Sequence, residues 1–362
     1  MLDLMLLLAN TRWVLAAIVA FGAMIFVHEL GHFLVAKRTG VVVHAFALGF
    51  GPKLFAFRRG GTAYAINLLP FGGYVRMAGE DFDATADEEG SFRHRSVWQR
   101  MAIVTAGPAM NLLLAVAILS VVGMTYGVQV GVTNRVAALQ RRCPAEQGGA
   151  LQPGCPAEQV GLRPGDAIVA IDGRPMERGE EVVRTIHQSP GKRLLLTVER
   201  DGQRFTVEVT PRLEPTQQIG LIGFAPEPLR QRLNPAAAVA WGVRRTAEMA
   251  VTLVGAIVNL IRVNRFLENL GGPVAAANAL VEAARTGVEN FLYMTSFLSV
   301  IIGLFNLFPI PALDGGRLAF LAVEAVRGRP LDPRREGYIH LVGFALLLLL
   351  LVVLTGRDIR RL

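Results

Sequence analysis

His28, Glu29 and His32 lie in FVHELGHFLV (26–35), a stretch otherwise made of apolar residues and one glycine. In a helix, positions four apart project from one face, so the two imidazoles point the same way with a carboxylate next to one of them. Two such histidines can hold Zn²⁺, with the glutamate as general base for hydrolysis. Histidines used only in helix packing are the plainer account of these residues. That account fits poorly in an apolar span, where ionisable side chains are costly and mark function.

Catalytic zinc takes three protein ligands and keeps one place for water. The candidate for the third is Asp314, in NLFPIPALDGG (306–316), at the end of a long uncharged run. An aspartate and two glycines that merely end a helix at the interface are the alternative. Pro309 and Pro311 disrupt regular helix and free backbone groups, which at membrane depth need protein or water partners. A segment lining a site would supply them.

These residues need elements that bring them together. The chain of 362 residues is 52% hydrophobic and only 18% charged. Its apolar residues gather in uncharged runs: Trp13 to Val27, continuing past the polar cluster to Ala36; Met101 to Tyr126; Phe291 to Leu313; and Leu341 to Leu354. At about 1.5 Å per residue most of these cross roughly 30 Å of hydrocarbon. The last is short, and Tyr338 and Thr355 extend it. Four transmembrane helices follow. The first lacks a basic leading region and a small-residue cleavage site, so it is expected to be retained rather than removed as a signal peptide. Residues 246–261 are apolar too, but Glu248, Asn259 and flanking arginines make them an amphipathic surface helix.

The net charge of +8 does not point to nucleic acid. Nine Lys/Arg lie in residues 37–100 and five between Arg317 and Arg335, so both loops are expected to be cytoplasmic. With four crossings, His28 and Asp314 reach the same membrane face; a fifth crossing at 246–261 would separate them.

The middle segment, about 127–235, has soluble character. Ala167 to Ile171 reads as a strand ending in the turn Asp172-Gly173, and Arg193–Glu199 and Arg204–Val209 form a hairpin around Asp201-Gly202. A second hairpin, Lys53–Phe57 against Thr62–Leu68, lies between the first two spans and continues into the glycine-rich FGGYVRM (71–77). A peptide bond is open to hydrolysis at such a site only in an extended segment. A strand edge can capture the extended segment, which makes Tyr64, Ile66, Gly72 and Gly73 candidate substrate contacts; a purely structural ribbon is the alternative. Cys143 and Cys155 are the only cysteines, and each opens the pentapeptide CPAEQ. Both fall in the middle segment, which follows the second span and so is expected on the side opposite the cytoplasmic loops, an oxidising one, and the intervening Gly148–Gly154 is flexible enough to let them meet. A disulfide is expected there; a cysteine copied with the duplicated pentapeptide and left unbridged is the alternative.

The segment PAEQVGLRPGDAIVAIDGRPM (156–176) resembles a PDZ domain of the bacterial protease-associated type. HELGH in the first span, GPAMN (107–111) in the second, FGGYVRM, ENLGGPV (268–274), NLFPIPALDGG and one PDZ-like domain together resemble the site-2 proteases, in the order of the bacterial regulator-of-sigma-E protease type. The resemblance covers nearly the whole chain. It implies an intramembrane zinc metalloprotease with His28, His32 and Asp314 as zinc ligands, Glu29 as general base and Asn306 helping to hold substrate. It further implies single-pass membrane substrates already cut by another protease, such as an anti-sigma factor or signal-peptide remnants. The location implied is a bacterial inner membrane, with the PDZ-like domain in the periplasm. Relatives with two PDZ domains differ from this chain, which has one.

The expected fold is therefore an α-helical polytopic membrane protein with a membrane-associated β-hairpin and an inserted extracytoplasmic β-rich domain. Its parts are 1–126, the first two spans with HELGH and the hairpin; 127–235, the PDZ domain; 236–290, amphipathic surface helices; and 291–362, the last two spans with Asp314. A membrane-anchored zinc peptidase acting on soluble peptides and a non-catalytic PDZ scaffold are the rival readings.

Overall fold

The computed structural model describes residues 2–80, 89–140, 142–144, 151–214, 217–263, 271–330 and 332–360. Glu268–Leu270 of ENLGGPV, and 145–150 between the cysteines, lie outside the described residues. The chain divides into two compact units, Tyr126–Leu233 and the remainder.

In the remainder, α1 (Leu2–Arg38) is followed by β1 (Val43–Arg59), β2 (Thr62–Met77) and α2 (Val97–Thr125). After the inserted unit come α5 (Pro235–Arg262), α6 (Pro273–Thr286), α7 (Val288–Asn306), α8 (Asp314–Arg327) and α9 (Pro333–Arg360). Among the described residues four helical stretches are long and apolar enough to cross a membrane: Thr11–Arg38, Val97–Thr125, Val288–Asn306 and Arg335–Arg360. The protein is thus a multi-pass membrane protein.

Small residues set the helix spacing. Gly31 of HELGH lies against α2; a Cβ there would come within 2.3 Å of the Ala106 carbonyl oxygen. Gly242 of α5 lies similarly close to Val116 and Ser120 of α2. Ala17, Ala20 and Met24 of α1 pack with Leu280 of α6 and Leu298 of α7. Asp358, buried in the last turn of α9, accepts the backbone N–H groups of Gly272 (3.3 Å) and Ala275 (2.9 Å). It caps the N-terminus of α6, whose first N–H groups have no partner within the helix.

The prolines interrupt the third apolar run, as their missing N–H groups lead one to expect. Helix α7 ends at Asn306, and residues 307–313 are irregular. Pro309 and Pro311 have no N–H to continue the helix. Asp314 begins a new helix instead of ending the old one; a carboxylate in a first turn is favoured by the helix dipole.

The β-hairpin departs from its expected limits. The strands double back, so Phe46 pairs with Val75 and with Tyr64, and Tyr64 pairs with Phe57 as well. Ile66 likewise pairs with Leu48 and with Phe55. Segment 63–66 is therefore interior, flanked by partners on both sides, and the outer rows are 53–59 and 73–77. Tyr64 and Ile66 do not lie on a free edge, which corrects their candidacy as an edge for substrate.

The inserted unit carries β3 (Val128–Leu139), β4 (Arg142–Pro144), β5 (Leu151–Pro153), α3 (Pro156–Gln159), β6 (Ala167–Ile171), β7 (Arg174–Pro175), α4 (Gly179–His187), β8 (Leu194–Arg200), β9 (Gln203–Val209), β10 (Arg212–Glu214), β11 (Ile219–Leu221) and β12 (Phe224–Gln231). The main sheet runs β12-β3-β6-β8-β9, with β7 paired to β6. Val182 and Ile186, one turn apart on α4, close its core over Ile168, Leu196 and Val198. Asp201 and Gly202 both take positive φ in the β8–β9 turn, the geometry that suits a two-residue hairpin. Cys143 and Cys155 are bonded to each other. Gly223, at φ 84°, leaves the room they need: a Cβ there would sit 2.4 Å from Cys155 Cβ.

Candidate active site

Helix α1 places His28 and His32 on one buried face, four residues apart. Their Nε2 atoms are 3.2 Å from one another. Asp314, at the first turn of α8, brings Oδ2 to 3.1 Å from His28 Nε2 and 3.4 Å from His32 Nε2. Residues near opposite ends of the chain thus converge on one point.

The donor set fits zinc. Four-coordinate zinc with bonds of about 2.0–2.1 Å holds its ligand atoms about 3.3 Å apart, close to the separations here. His32 Nδ1 lies 2.8 Å from the Ile103 carbonyl oxygen. A carbonyl only accepts, so Nδ1 carries the proton and Nε2 presents its lone pair to the site. Two imidazoles and one carboxylate leave a coordination place for water. Asp314 Oδ2 is buried with both imidazole Nε2 atoms turned toward it, as suits an atom that shares a cation with them.

Gly107 keeps this space open. It stands opposite the histidines on α2, and a Cβ there would lie 2.2 Å from His32 Nε2 and 2.9 Å from His28 Nε2. The motif GPAMN is visible in the sequence, but the purpose of its glycine appears only in the packing.

The turn before Asp314 is tightly built. Leu313 N–H donates to the Ile310 carbonyl at 3.1 Å, closing a turn over Pro311 and Ala312. Gly315 and Gly316 let this segment lie directly on α8: a Cβ at Gly315 would be 2.1 Å from the Phe308 oxygen, and one at Gly316 2.4 Å from the Ile310 oxygen. Ion pairs hold α8 further along. Arg317 pairs with Glu80, which follows β2, and both Nη atoms of the Arg100 guanidinium (α2) grip the Glu324 carboxylate, Nη1 at 3.1 Å.

Glu29 lies beside the ligand cluster, within electrostatic reach of His32, His28, Asp314 and Glu80. A Cβ on Gly73 would stand 3.0 Å from Glu29 Cγ, so the outer row 73–77 runs past the carboxylate side chain. Gly72, at φ 97°, makes room for the Phe50 ring. Asn306 closes α7 and donates its amide to the Ile302 carbonyl at 3.0 Å; it stands outside the ligand cluster.

Comparison with known proteins identifies the family. The profile of peptidase family M50 matches residues 16–350. A zinc metalloprotease RasP from Geobacillus kaustophilus is 33% identical over 96% of this chain and 98% of its own length. A putative zinc metalloprotease from Agrobacterium fabrum is 34% identical over 96% of each. The regulator of sigma-W protease RasP of Bacillus subtilis is 32% identical over 96% of this chain and 98% of its own. A solved PDZ domain of an SdrC-like protein from Listeria monocytogenes covers 27% of this chain and 88% of its own, at 17% identity and a TM-score of 0.20. The chain belongs to peptidase family M50, the site-2 protease family of zinc metalloproteases.

Proposed function

We propose that the protein is an intramembrane endopeptidase that cuts single-pass transmembrane proteins within or near the bilayer. One observation carries this reading: two of the three converging ligand residues sit inside a span-length apolar helix. A peptidase for soluble peptides has no need to place its site there.

His28, His32 and Asp314 would hold the zinc. When bound, zinc polarises the scissile carbonyl and acidifies the attacking water. Glu29 takes the water proton and delivers it to the departing amide nitrogen. Ile103 fixes His32 in the tautomer that ligation requires. The unwound substrate lies extended along the outer row 73–77, where Gly73 brings strand backbone close to Glu29. Gly72 shapes the start of that row, and Asn306 steadies the segment from α7. An anti-sigma factor as substrate fits the name, regulator of sigma-W protease, that the Bacillus subtilis relative carries; such a substrate would reach the site already trimmed by another protease.

The arginine-rich loops support a topology in which β1, β2 and α8 face the cytoplasm of a bacterial cell, with residues 126–233 outside its inner membrane. Helix α5 then lies at the outer surface. The Cys143–Cys155 bridge suits that oxidising side.

The test is reconstitution in liposomes with a single-pass substrate. Glu29→Gln should abolish cleavage and still bind zinc, because it removes a base and no ligand. Full cleavage by Glu29→Gln, or equal cleavage of soluble unfolded protein, would overturn the reading.

A further inference from the structure

Ala312 sits two residues before Asp314 with φ 74°, a left-handed conformation at a residue that carries a Cβ. It occupies the third position of the turn Ile310-Pro311-Ala312-Leu313, with proline at the second. Positive φ at that position belongs to the type II turn, which favours glycine there. An alanine holds such a conformation only where its surroundings enforce it. In this turn the N–H of the third residue is not used by the turn itself, and it donates to His340 Nδ1 of α9 at 2.9 Å.

The chemistry of that contact fixes the histidine. A backbone N–H only donates, so Nδ1 must present its lone pair and Nε2 must carry the proton. Glu336, one turn earlier on α9, has its Oε1 3.9 Å from Nε2 and favours a proton there. The Phe320 ring of α8 stands edge-on to the imidazole, with centroids 5.3 Å apart. Next to it, Gly343 of α9 takes in Pro311: a Cβ there would lie 2.4 Å from Pro311 Cβ. Helix α9 therefore holds the turn at two successive residues, Pro311 by shape and Ala312 by a hydrogen bond.

We propose that His340 is a positioning residue for the metal site: it enforces the left-handed turn at Ala312 and so sets where Asp314 Oδ2 meets the two histidines. This rests on the reading of Asp314 as a ligand. It assigns the last span a part in building the site, although among the described residues the three that form the cluster come from α1 and α8.

The experiment measures zinc affinity of the purified full chain by chelator competition, together with the visible spectrum of the cobalt(II)-substituted protein. His340→Leu should weaken zinc at least about tenfold, the scale seen for groups that orient ligands, and shift the cobalt bands. His340→Asn places an oxygen near the Nδ1 position and should recover most of the affinity. His340→Gln places its oxygen nearer Nε2 and should not. Ala312→Gly removes the cost of the left-handed turn, so in that background His340→Leu should weaken zinc far less. Wild-type affinity and spectrum in His340→Leu would overturn the proposal. So would an undiminished loss when His340→Leu is combined with Ala312→Gly, which would mark a packing role alone. Should His340→Leu fail to fold, the Asn and Gln variants decide: equal affinity overturns it. Zinc binding that His28→Ala leaves intact would overturn the ligand reading itself, and the proposal with it.

Discussion

Three atoms within 3.4 Å of one another define this site, and what surrounds them decides whether a metal fits. Gly107 is the sharpest case. Its missing side chain is the space next to both Nε2 atoms. Gly107→Ala should therefore weaken zinc by at least about tenfold and abolish cleavage, while Gly255→Ala, facing open space on α5, should leave both unchanged. Zinc titration of the two variants checks this. The ligand histidines were legible in the sequence because a helix converts a spacing of four into a shared face. Asp314 was legible as a candidate because an acid at the end of an apolar run stands out. Gly107 and His340 were not, since nothing local distinguishes a glycine beside a ligand or a histidine beside a strained turn. Their roles arise from contacts between different helices, with partners far away in the chain.

At the scale of elements, local pattern carried the inserted unit further than it carried the membrane-associated sheet. Strand β6 and the β8–β9 hairpin follow from alternation and turn residues, which act over a few positions. In β1 and β2, alternation marks the strands but not which row stands next to which, and Tyr64 proves to be interior. The same locality gives the inserted unit a testable acid sensitivity. Asp166 is buried and accepts from Arg200 through both oxygens, at 2.7 and 2.8 Å, and from the Arg163 N–H at 2.7 Å. The Arg200 guanidinium holds the Asp166 carboxyl below its ordinary range. A carboxylate with a lowered folded-state pKa stabilises above its unfolded value and loses that contribution as pH falls through the folded one. Amide exchange in β6 and β8 should thus be severalfold faster in Asp166→Asn than in wild type at neutral pH, with the difference shrinking below about pH 4 as the wild-type carboxylate is protonated. A gap that persists unchanged under strong acid would show that the bond, not the charge, matters.

For the whole molecule, the converged site constrains topology by parity. His28 and His32 lie near the Lys37-Arg38 end of the first span, and Asp314 follows the third. For them to meet, the chain must cross the membrane an even number of times between those points. Helices α2 and α7 supply two crossings. Were α5 a third, Asp314 would emerge on the far face, and its contacts with the histidines could not form. Helix α5 is 28 residues long and presents Val251, Val254 and Val258 outward, so length and apolarity alone would not exclude a crossing. The convergence of His28, His32 and Asp314 argues against one. The ion pairs Arg100–Glu324 and Glu80–Arg317 point the same way, gathering charged residues from the start of α2, from the end of the hairpin and from α8 on the side where Asp314 lies. Single cysteines introduced near Arg58 and Arg329, in a chain with Cys143 and Cys155 replaced, should therefore be shielded from an impermeant thiol reagent in intact cells. Cysteines near Arg204 should react, and so should those at both ends of α5, near Gln231 and Val263. Opposite reactivity at the two ends of α5 would make it a crossing and would be incompatible with Asp314 as a partner of His28 and His32.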